Sequence, residues 1–436
     1  PSSRAIIPKG SFSGLIEVQL TDAFFEDPKA LTGAYVIPIR ITGSPDTENI
    51  LYGKPVDGKE DSADIHVSED WSEKPMHFAL FGVKYVNPWH GSWLRRGALI
   101  VRDRSGAVMS GQSMIDAIAV MHDRSNGLGG GFAGYGIYPH YKDFYAFHLF
   151  YDGKAAQTET EAFIHRHFEI VYSSEIQTRK IPTVTDEPLI FRYFLAPLPR
   201  KLSHSHLDER EYVARCVNRI NACIDGAYVF SSGKNMGIFK GVGYPEDIGR
   251  FYRLEEYEGY AWTCHGRYPT NTPGWWGGSH PFGLLDFSVV HNGEISSYDA
   301  NRRYIEMFGY KCTLHTDTEV ITYIIDYLVR RRGLTLQETA HVIAASFWST
   351  IAGKDDVACE QETLLRRMFP SLLVTGPFSI ILGYTGGLMA LGDRLKLRSA
   401  VCAEKGNIAY IASEESAIRA IEPNLDRVWA PAGGEP

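Results

Sequence analysis

The stretch from Trp262 to Val320 contains three polar motifs. They are Cys264-His-Gly-Arg-Tyr-Pro-Thr-Asn-Thr272, Val289-Val-His-Asn-Gly-Glu-Ile295 and His315-Thr-Asp-Thr-Glu319. Each motif lies beside an apolar or β-prone run of residues. Polar residues at the ends of such runs are typical of strand ends that line a pocket. We therefore expect the three motifs to meet at one site around which the rest of the chain is arranged.

The composition is ordinary for a globular protein and predicts neither a nucleic-acid partner nor a transmembrane helix. The 436 residues suffice for two or three domains, and the hydrophobic (44%) and charged (22%) fractions are ordinary for such proteins. The net charge of -8 without a block of like charges argues against a nucleic-acid partner. No run of about 18 apolar residues predicts a membrane span, and the N-terminal segment Pro1–Pro8 lacks the apolar core of a signal peptide.

The first 95 residues show a β pattern. Polar and apolar residues alternate in Leu15–Leu20 and Tyr35–Ile41, and His77–Val86 is a third strand-like run. Turn residues separate these runs, so the pattern predicts part of a small β-sandwich.

Three short sequence motifs in this N-terminal part resemble those of a known domain family. With Thr21–Asp27, Leu51–Pro55 and Val83–Gly91 it resembles a domain of unknown function from bacterial surface lipoproteins linked to glycan uptake. The resemblance implies a cell-surface location. Trp89, His90 and Trp93 could stack on a sugar, and packing in a core or interface is the alternative.

The sequence pattern changes at Gly97, from β-rich to mixed helix and strand. Ala98–Val101 predicts a short strand, and the apolar spacing from Met114 to Met121 predicts a helix. The glycine-rich segment Gly127–Gly134 contains a G-x-G-x-x-G pattern, but a helix precedes it and the β-prone Tyr135–Tyr138 follows it. A dinucleotide fingerprint requires the opposite order, so we expect a glycine-rich loop instead.

The remaining segments alternate between helical and strand patterns. The predicted helices are 160–168, 209–223, 319–332 and 335–347, and the predicted strands are 227–231, 376–383, 387–391 and 408–412. His204 and His206 lack a third metal ligand at a suitable spacing, which favours a solvated loop over a metal site. We expect neither a metal nor a cofactor.

In this order, the motifs resemble those of class II glutamine amidotransferases, the N-terminal-nucleophile glutaminases. The resemblance is to the amidotransferase subunit or domain of glutamate synthase, covers about Gly97–Pro436, and includes Gly392–Arg398 and Ala412–Glu415 near the end. It implies an α+β fold of four layers, αββα, preceded by the β-sandwich-like module. The expected domains are 1–95 and 96–436.

The resemblance assigns a substrate role to four residues. Arg267 would hold the α-carboxylate of glutamine with the help of the Thr270 hydroxyl, and Asp317 would pair with the α-ammonium group. Asn271, which follows Thr270 as in glutamate synthases, would also bind substrate. A guanidinium binds a carboxylate bidentately, which lysine does less specifically. Local alternatives remain: Arg267 as a surface residue, and Asp317 as a helix N-cap.

Asn292 and Gly293 resemble the oxyanion-binding pair of the family. The side-chain amide of Asn292 and the backbone N–H of Gly293 would stabilise the developing negative charge. The alternative is a plain type I′ hairpin turn, for which Asn-Gly is a common sequence.

The family's nucleophile is not found in this sequence. The family uses a cysteine at the start of the mature domain, whose own α-amine acts as base. Gly97 matches the glycine that follows it, which puts Arg96 at the cysteine position. The six cysteines all come after residue 215, and we interpret Cys264 as a packing residue. Ser92 would serve only after cleavage behind Gly91 and a shift of the first strand.

Three functional hypotheses follow. The first is a glutaminase of glutamate-synthase type, located in the cytoplasm, that hydrolyses glutamine to glutamate and passes ammonia to a partner synthase subunit. The second is a non-catalytic glutamine-binding or regulatory module. The third is a surface glycan-associated protein that acts through residues 1–95. Three explanations for the joining of residues 1–95 to residues 96–436 remain open: a natural fusion, a wrongly joined gene, or an artificial fusion.

Overall fold

The chain forms two compact units, Pro1–Trp93 and Leu94–Pro436. The computed structural model describes residues 35–45, 49–65, 67–83, 97–268 and 274–436, together with isolated positions between 18 and 29. The predicted domain boundary after residue 95 lies outside these described residues and stays a prediction.

The first unit contains short antiparallel strand pairs. Its described strands are β1 (Tyr35–Arg40), β2 (Lys54–Pro55), β3 (Trp71–Glu73) and β4 (Phe78–Val83). β1 pairs with β4, and β2 pairs with β3. Trp89, His90 and Trp93 and most of the predicted strand at 15–20 lie outside the described residues, so the β-sandwich remains a prediction.

The second unit is built from 17 strands and 11 helices among its described residues. Its strands are β5 (Gly97–Asp103), β6 (Met109–Ser110), β7 (Gly130–Tyr135), β8 (Tyr145–Tyr151), β9 (Phe168–Glu175), β10 (Leu189–Pro197), β11 (Ala227–Ser231), β12 (Met236–Gly241), β13 (Glu258–Gly259), β14 (Ala261–Gly266), β15 (Phe282–Leu284), β16 (Phe287–Gly293), β17 (Phe378–Tyr384), β18 (Gly387–Gly392), β19 (Val401–Lys405), β20 (Ile408–Ala412) and β21 (Arg427–Trp429).

The helices lie between these strands. They are α1 (Gln112–Ala119), α2 (Lys154–His167), α3 (Pro199–Ser205), α4 (Glu209–Cys223), α5 (Pro245–Phe251), α6 (Tyr298–Glu306), α7 (Asp317–Asp326), α8 (Leu336–Ile343), α9 (Trp348–Ala352), α10 (Asp356–Met368) and α11 (Glu415–Ile421). The fold class is α+β, as predicted, because the larger sheets are antiparallel and the helices pack on their faces.

Three larger sheets organise the second unit. One has seven strands in the order β12-β7-β14-β5-β20-β19-β21, and two have four strands in the orders β15-β16-β17-β18 and β11-β8-β10-β9. The β16 sheet and the seven-stranded sheet share an apolar cluster, in which Val290, Ile381 and Ala390 meet Cys402 and Ile411.

Helices cover these sheets from other sides. α1, α5 and α11 pack on the seven-stranded sheet, and α4 and α7 pack on the four-stranded sheets. The alternation along β16 shows the two environments, because Val289 belongs to the cluster that includes α7 and Val290 to the cluster between sheets. Neighbouring strand residues point to opposite faces, so His291 follows Val289 towards α7.

Sequence patterns located most elements, but the bounds of several helices differ. The helix predicted at 160–168 begins earlier, at Lys154, and ends at His167, and the helix predicted at 335–347 ends at Ile343. α4 and β11 have the predicted bounds, 209–223 and 227–231. The helix predicted at 319–332 begins earlier, at Asp317, and its second half is a π-helical turn, Tyr327–Arg331. The earlier start follows from Thr316, whose hydroxyl caps the first turn by accepting a hydrogen bond from Glu319 N–H at 3.2 Å.

The glycine-rich segment expected to be a loop is mostly the buried strand β7. The glycines within β7 are required by close neighbours rather than by turns. A Cβ at Gly130 would lie 2.5 Å from Pro245 Cα, and a Cβ at Gly131 would lie 2.3 Å from the backbone oxygen of His280. The absence of side chains therefore lets the chain segments around β7 approach closely.

Within the described residues, the helices are too short or too polar to cross a lipid bilayer.

We predict that Gly131→Ala destabilises the second unit. The added methyl would press on the His280 carbonyl, Lys240 Cβ and the Phe239 carbonyl, and overpacking of this kind costs about 1–3 kcal/mol. Urea unfolding followed by circular dichroism measures the loss. Gly153→Ala is the matched control, because a Cβ there meets no atom within 4 Å. Equal unfolding midpoints for the two variants would contradict the packing described for β7.

Candidate functional site

The candidate site lies where β14 ends. Gly266, the last residue of β14, pairs with Gly97, the first residue of β5, and Arg267 follows directly. One residue pair back, His265 Nε2 donates a hydrogen bond to the backbone oxygen of His291 in β16 (3.0 Å). The end of the seven-stranded sheet is thereby joined to the end of β16, where Asn292 and Gly293 lie.

Arg267 is buried at this edge, with 5% of its surface exposed. Its backbone N–H donates to Gly129 O (2.8 Å), and its backbone oxygen accepts from Ser125 Oγ (3.1 Å). The side chain runs between two glycines: a Cβ at Gly129 would lie 3.2 Å from Arg267 Cδ, and one at Gly278 would lie 3.4 Å from Nη1. The surface-residue alternative is therefore wrong, and a buried guanidinium of this kind is suited to bind a carboxylate.

Asn292 and Gly293 end strand β16 and do not form a hairpin turn. They pair with Ser379 and Phe378 of β17, and Asn292 is buried. Gly293 has φ +154°, and a Cβ there would lie 2.0 Å from the backbone oxygen of Pro377. The hairpin alternative is wrong because the close approach of the segment 375–378, and not a turn, requires this glycine.

Asp317 is the first residue of α7, and the N-cap is Thr316. The alternative reading of Asp317 as an N-cap is therefore wrong by one residue. Asp317 Oδ1 lies 3.4 Å from His291 Nδ1 and accepts a hydrogen bond from Thr318 Oγ1 at 3.2 Å. Its carboxylate is partly accessible, and its place in the first turn lets the helix dipole stabilise a negative charge.

Three buried histidines connect these residues, and the sequence analysis did not single them out. The rings of His265 and His280 stack with centroids 4.1 Å apart. His280 Nε2 lies 3.2 Å from Thr318 Oγ1, and His291 Nδ1 lies 3.4 Å from the same hydroxyl. The signal was present in part, because His265 and His291 lie inside two of the motifs. The third, His280, is brought in only by the tertiary fold.

Two buried titratable side chains, Lys240 and Glu319, were also missed. Lys240 on β12 is fully buried, and its Nζ donates to Gly277 O (2.9 Å). Glu319 on α7 is buried and accepts from the backbone N–H groups of Thr313 (3.1 Å) and Leu314 (2.9 Å). Burial lowers the pKa of Lys240 well below its usual value, against the raising effect of Glu319, and the charge of Arg267 lowers it further.

The pKa of the Glu319 carboxyl group shifts in the opposite direction. Burial raises the pKa of Glu319 to about 7, although the donors Leu314 and Thr313 and the charge of Lys240 oppose the shift.

The other predicted positions are distributed as follows. Thr270, Asn271, Ser92 and Arg96 lie outside the described residues. Cys264 is buried in the apolar cluster around α1 and β14. Across the described ranges, no group of three or more histidine, cysteine or acidic residues could hold a metal ion.

Comparison with known proteins identifies the family. Residues 153–324 match the family model of class II glutamine amidotransferases. A protein of Archaeoglobus fulgidus, described as uncharacterized, is 48% identical over 343 residues, which are 78% of this chain and 90% of that protein.

Other relatives carry the family's names. A putative glutamine amidotransferase of Methanothermobacter thermautotrophicus is 29% identical over 202 residues, 45% of this chain and 57% of its own. A glutamine–fructose-6-phosphate aminotransferase of Sulfurisphaera tokodaii is 34% identical over 102 residues, 23% of this chain and 17% of its own. This chain therefore spans less than two thirds of both of these relatives. It belongs to the same family as the Archaeoglobus fulgidus protein and contains a class II glutamine amidotransferase domain.

Proposed function

We propose that residues 96–436 form an amidotransferase domain of glutamate-synthase type that binds L-glutamine at the edge formed by β14, β16 and α7. The observation that carries the proposal is the chain of contacts from His265 through His291 to Asp317, since it gathers the three motifs at one place. The four-layer αββα arrangement of N-terminal-nucleophile hydrolases is part of this proposal. The contacts between the β16 sheet and the seven-stranded sheet, and the helices on each, support it.

In this proposal each end of the substrate has a partner. The α-carboxylate binds the buried guanidinium of Arg267, and Thr270 and Asn271 assist there. The α-ammonium group pairs with Asp317. The side-chain amide of glutamine points to Asn292 and Gly293, whose amide groups stabilise the negative oxygen of the tetrahedral intermediate.

The hydrolysis itself needs a thiol that attacks the amide carbon and an amine that accepts its proton. The sequence has Arg96 in front of Gly97, where the family has its cysteine. We therefore propose that the chain with this sequence binds glutamine without turning it over. The second candidate, a non-catalytic glutamine-binding or regulatory module, is favoured by this one position.

A chain with the cysteine would act in the cytoplasm and pass ammonia to a glutamate synthase partner. The glycan-associated alternative depends on Trp89, His90 and Trp93, which lie outside the described residues, so it stays a prediction.

Arg267→Ala should raise the dissociation constant for L-glutamine by about tenfold to a hundredfold or more. The guanidinium is the group proposed to hold the α-carboxylate, and a charged hydrogen-bonding partner contributes about 1.5–3 kcal/mol or, when bidentate, more. Isothermal titration calorimetry measures the dissociation constant, and Arg267→Lys should bind more weakly than the unaltered chain. Arg419→Ala is the control, since Arg419 pairs with Glu415 on the exposed side of α11. Unchanged affinity in Arg267→Ala would exclude the proposed role.

Supplying the missing N-terminal cysteine should create glutaminase activity. Removal of residues 1–95, together with Arg96→Cys as the mature N-terminal residue, supplies both a thiol and an α-amine in front of β5. We expect release of ammonia from L-glutamine by this variant and none above background by the unaltered chain, in a coupled glutamate dehydrogenase assay. Turnover of L-glutamine by the unaltered chain would refute the claim that the nucleophile is missing. An inactive but folded variant that binds glutamine would refute the alignment of Gly97.

In that active variant, Asn292→Ala should lower kcat by about 10²–10³, the usual loss when one oxyanion donor is removed. The Michaelis constant should change little, because the amide acts mainly in the transition state. Asn424→Ala provides the control, since Asn424 is exposed between α11 and β21. A kcat unaffected by Asn292→Ala would remove this residue from the oxyanion site.

A further inference from the structure

The helix α10 has an apolar face that points to solvent. On its inner face, Glu362 and Leu365 are buried against the second unit. On its outer face, Val357, Leu364 and Met368 are exposed, with 66%, 56% and 47% of their surfaces accessible. Single exposed apolar residues are common, but three of them in line on one helix form a surface of the kind that binds another protein.

The exposed residues have the spacing of a coiled-coil contact. Val357, Gln361, Leu364 and Met368 are separated by four, three and four residues, which is the repeat of the two inward-facing positions of a heptad. We call these four residues the seam. α10 has 13 residues and is therefore about 20 Å long, so the seam runs along almost its whole length.

The seam is symmetric about its midpoint. Val357 and Met368 are equally far from that midpoint, and so are Gln361 and Leu364. When two copies of α10 lie antiparallel about a two-fold axis, Val357 of one copy therefore meets Met368 of the second copy. Gln361 meets Leu364 in the same way. A two-fold interface requires this self-complementarity, because the same surface is used by both copies.

Two opposite charges flank the seam on one side. Glu360 and Arg367 each precede a seam residue by one position, and both are exposed. Among the described residues of the same chain, neither has an ion-pair partner. By contrast, Glu362 on the inner face pairs with Lys354. The charges that face the unit are thus compensated within the chain, and those that flank the seam are not.

An antiparallel partner helix compensates both flanking charges. In such a pair, the flanking positions of one helix face the same flanking positions of the other. With the seam residues matched as above, Glu360 of one copy lies beside Arg367 of the second copy, and the two-fold axis produces this contact twice. A parallel pair would place Glu360 opposite Leu365, which is buried in its own unit. The charges therefore favour the antiparallel arrangement.

Two aromatic residues enlarge the apolar surface beside α10. Phe347 and Trp348, at the start of α9, are exposed by 41% and 49%. The Arg394 guanidinium lies 4.3 Å from the centroid of the Phe347 ring, and the Arg366 guanidinium lies 4.1 Å from that of the Trp348 ring. Arg366 belongs to the last turn of α10, so Trp348 lies next to this end of the helix. A standard interface buries about 800 Å² of each partner, and the rings add apolar area towards that size.

We propose that α10 is a self-association surface, on which a second copy of this chain packs its own α10 antiparallel and forms a two-fold symmetric dimer. The apolar seam supplies the contact area, and the Glu360–Arg367 contacts set the direction of the helices. The inference goes beyond the proposed function and does not depend on the binding of glutamine.

Sedimentation equilibrium of the full chain over a range of concentrations tests the dimer. We expect a species of twice the 48.8 kDa mass of one chain. Leu364→Glu places a carboxylate at the centre of the seam in both copies and should raise the dissociation constant of the dimer by about a hundredfold or more. Met307→Glu is the matched control, because Met307 is exposed at the end of α6, outside the seam.

Two results of this experiment would overturn the proposal. One is an unaltered chain that stays monomeric at every concentration, as expected if α10 binds a different protein. The other is a dimer as stable with Leu364→Glu as without it, since another surface would then hold the two copies together. Circular dichroism checks that each variant is folded.

A charge swap tests the antiparallel pairing. Glu360→Arg alone brings two arginines together at each contact, and Arg367→Glu alone brings two glutamates together. Each variant should raise the dissociation constant of the dimer by about tenfold or more. The two variants mixed in equal amounts should associate again, because each contact then has one arginine and one glutamate. Single variants that associate like the unaltered chain, or a mixture that stays monomeric, would overturn the antiparallel pairing.

Discussion

The hydrogen bond from His265 Nε2 to the backbone oxygen of His291 is the contact on which the candidate site depends. It joins β14 of the seven-stranded sheet to β16 of a four-stranded sheet, and both histidines are completely buried. Breaking it would leave a buried polar group without its partner, which costs about 1–3 kcal/mol. The same bond fixes Arg267, two residues beyond His265, and Asn292, next to His291, relative to each other.

The neighbouring contacts extend this constraint to α7. His291 Nδ1 lies near both Asp317 and Thr318, and His280 reaches the same threonine from the ring stack with His265. The imidazole and hydroxyl groups thus form a buried network that ends at the partly accessible carboxylate of Asp317. A network in a low-dielectric interior holds its members in a single arrangement when they are hydrogen-bonded to one another. This rigidity is what a site that must fix both ends of a small amino acid requires.

Local sequence signals predicted the elements but not their meeting points. The bounds of α4 were predictable because Asp208 caps its first turn and apolar residues repeat along one face. The Asn292-Gly293 pair suggested a hairpin turn as its local alternative, and that alternative is wrong. The glycine is required because the backbone of Pro377, more than 80 residues away in the chain, leaves no space for a side chain. The glycine-rich segment was expected to be a loop for the same reason: Pro245 and His280, which exclude side chains from β7, are distant in sequence. Lys240 gave no signal at all, since a single lysine in an apolar strand has no pattern.

The central claim is that Arg267 and Asp317 hold opposite ends of one glutamine molecule. An experimental structure of the full chain with L-glutamine tests it most directly. The account predicts the α-carboxylate within hydrogen-bonding distance of the Arg267 guanidinium, the α-ammonium group at Asp317 and the side-chain amide at Asn292 and Gly293. Glutamine bound elsewhere, or bound in the reverse orientation with its side-chain amide at Arg267, would contradict it.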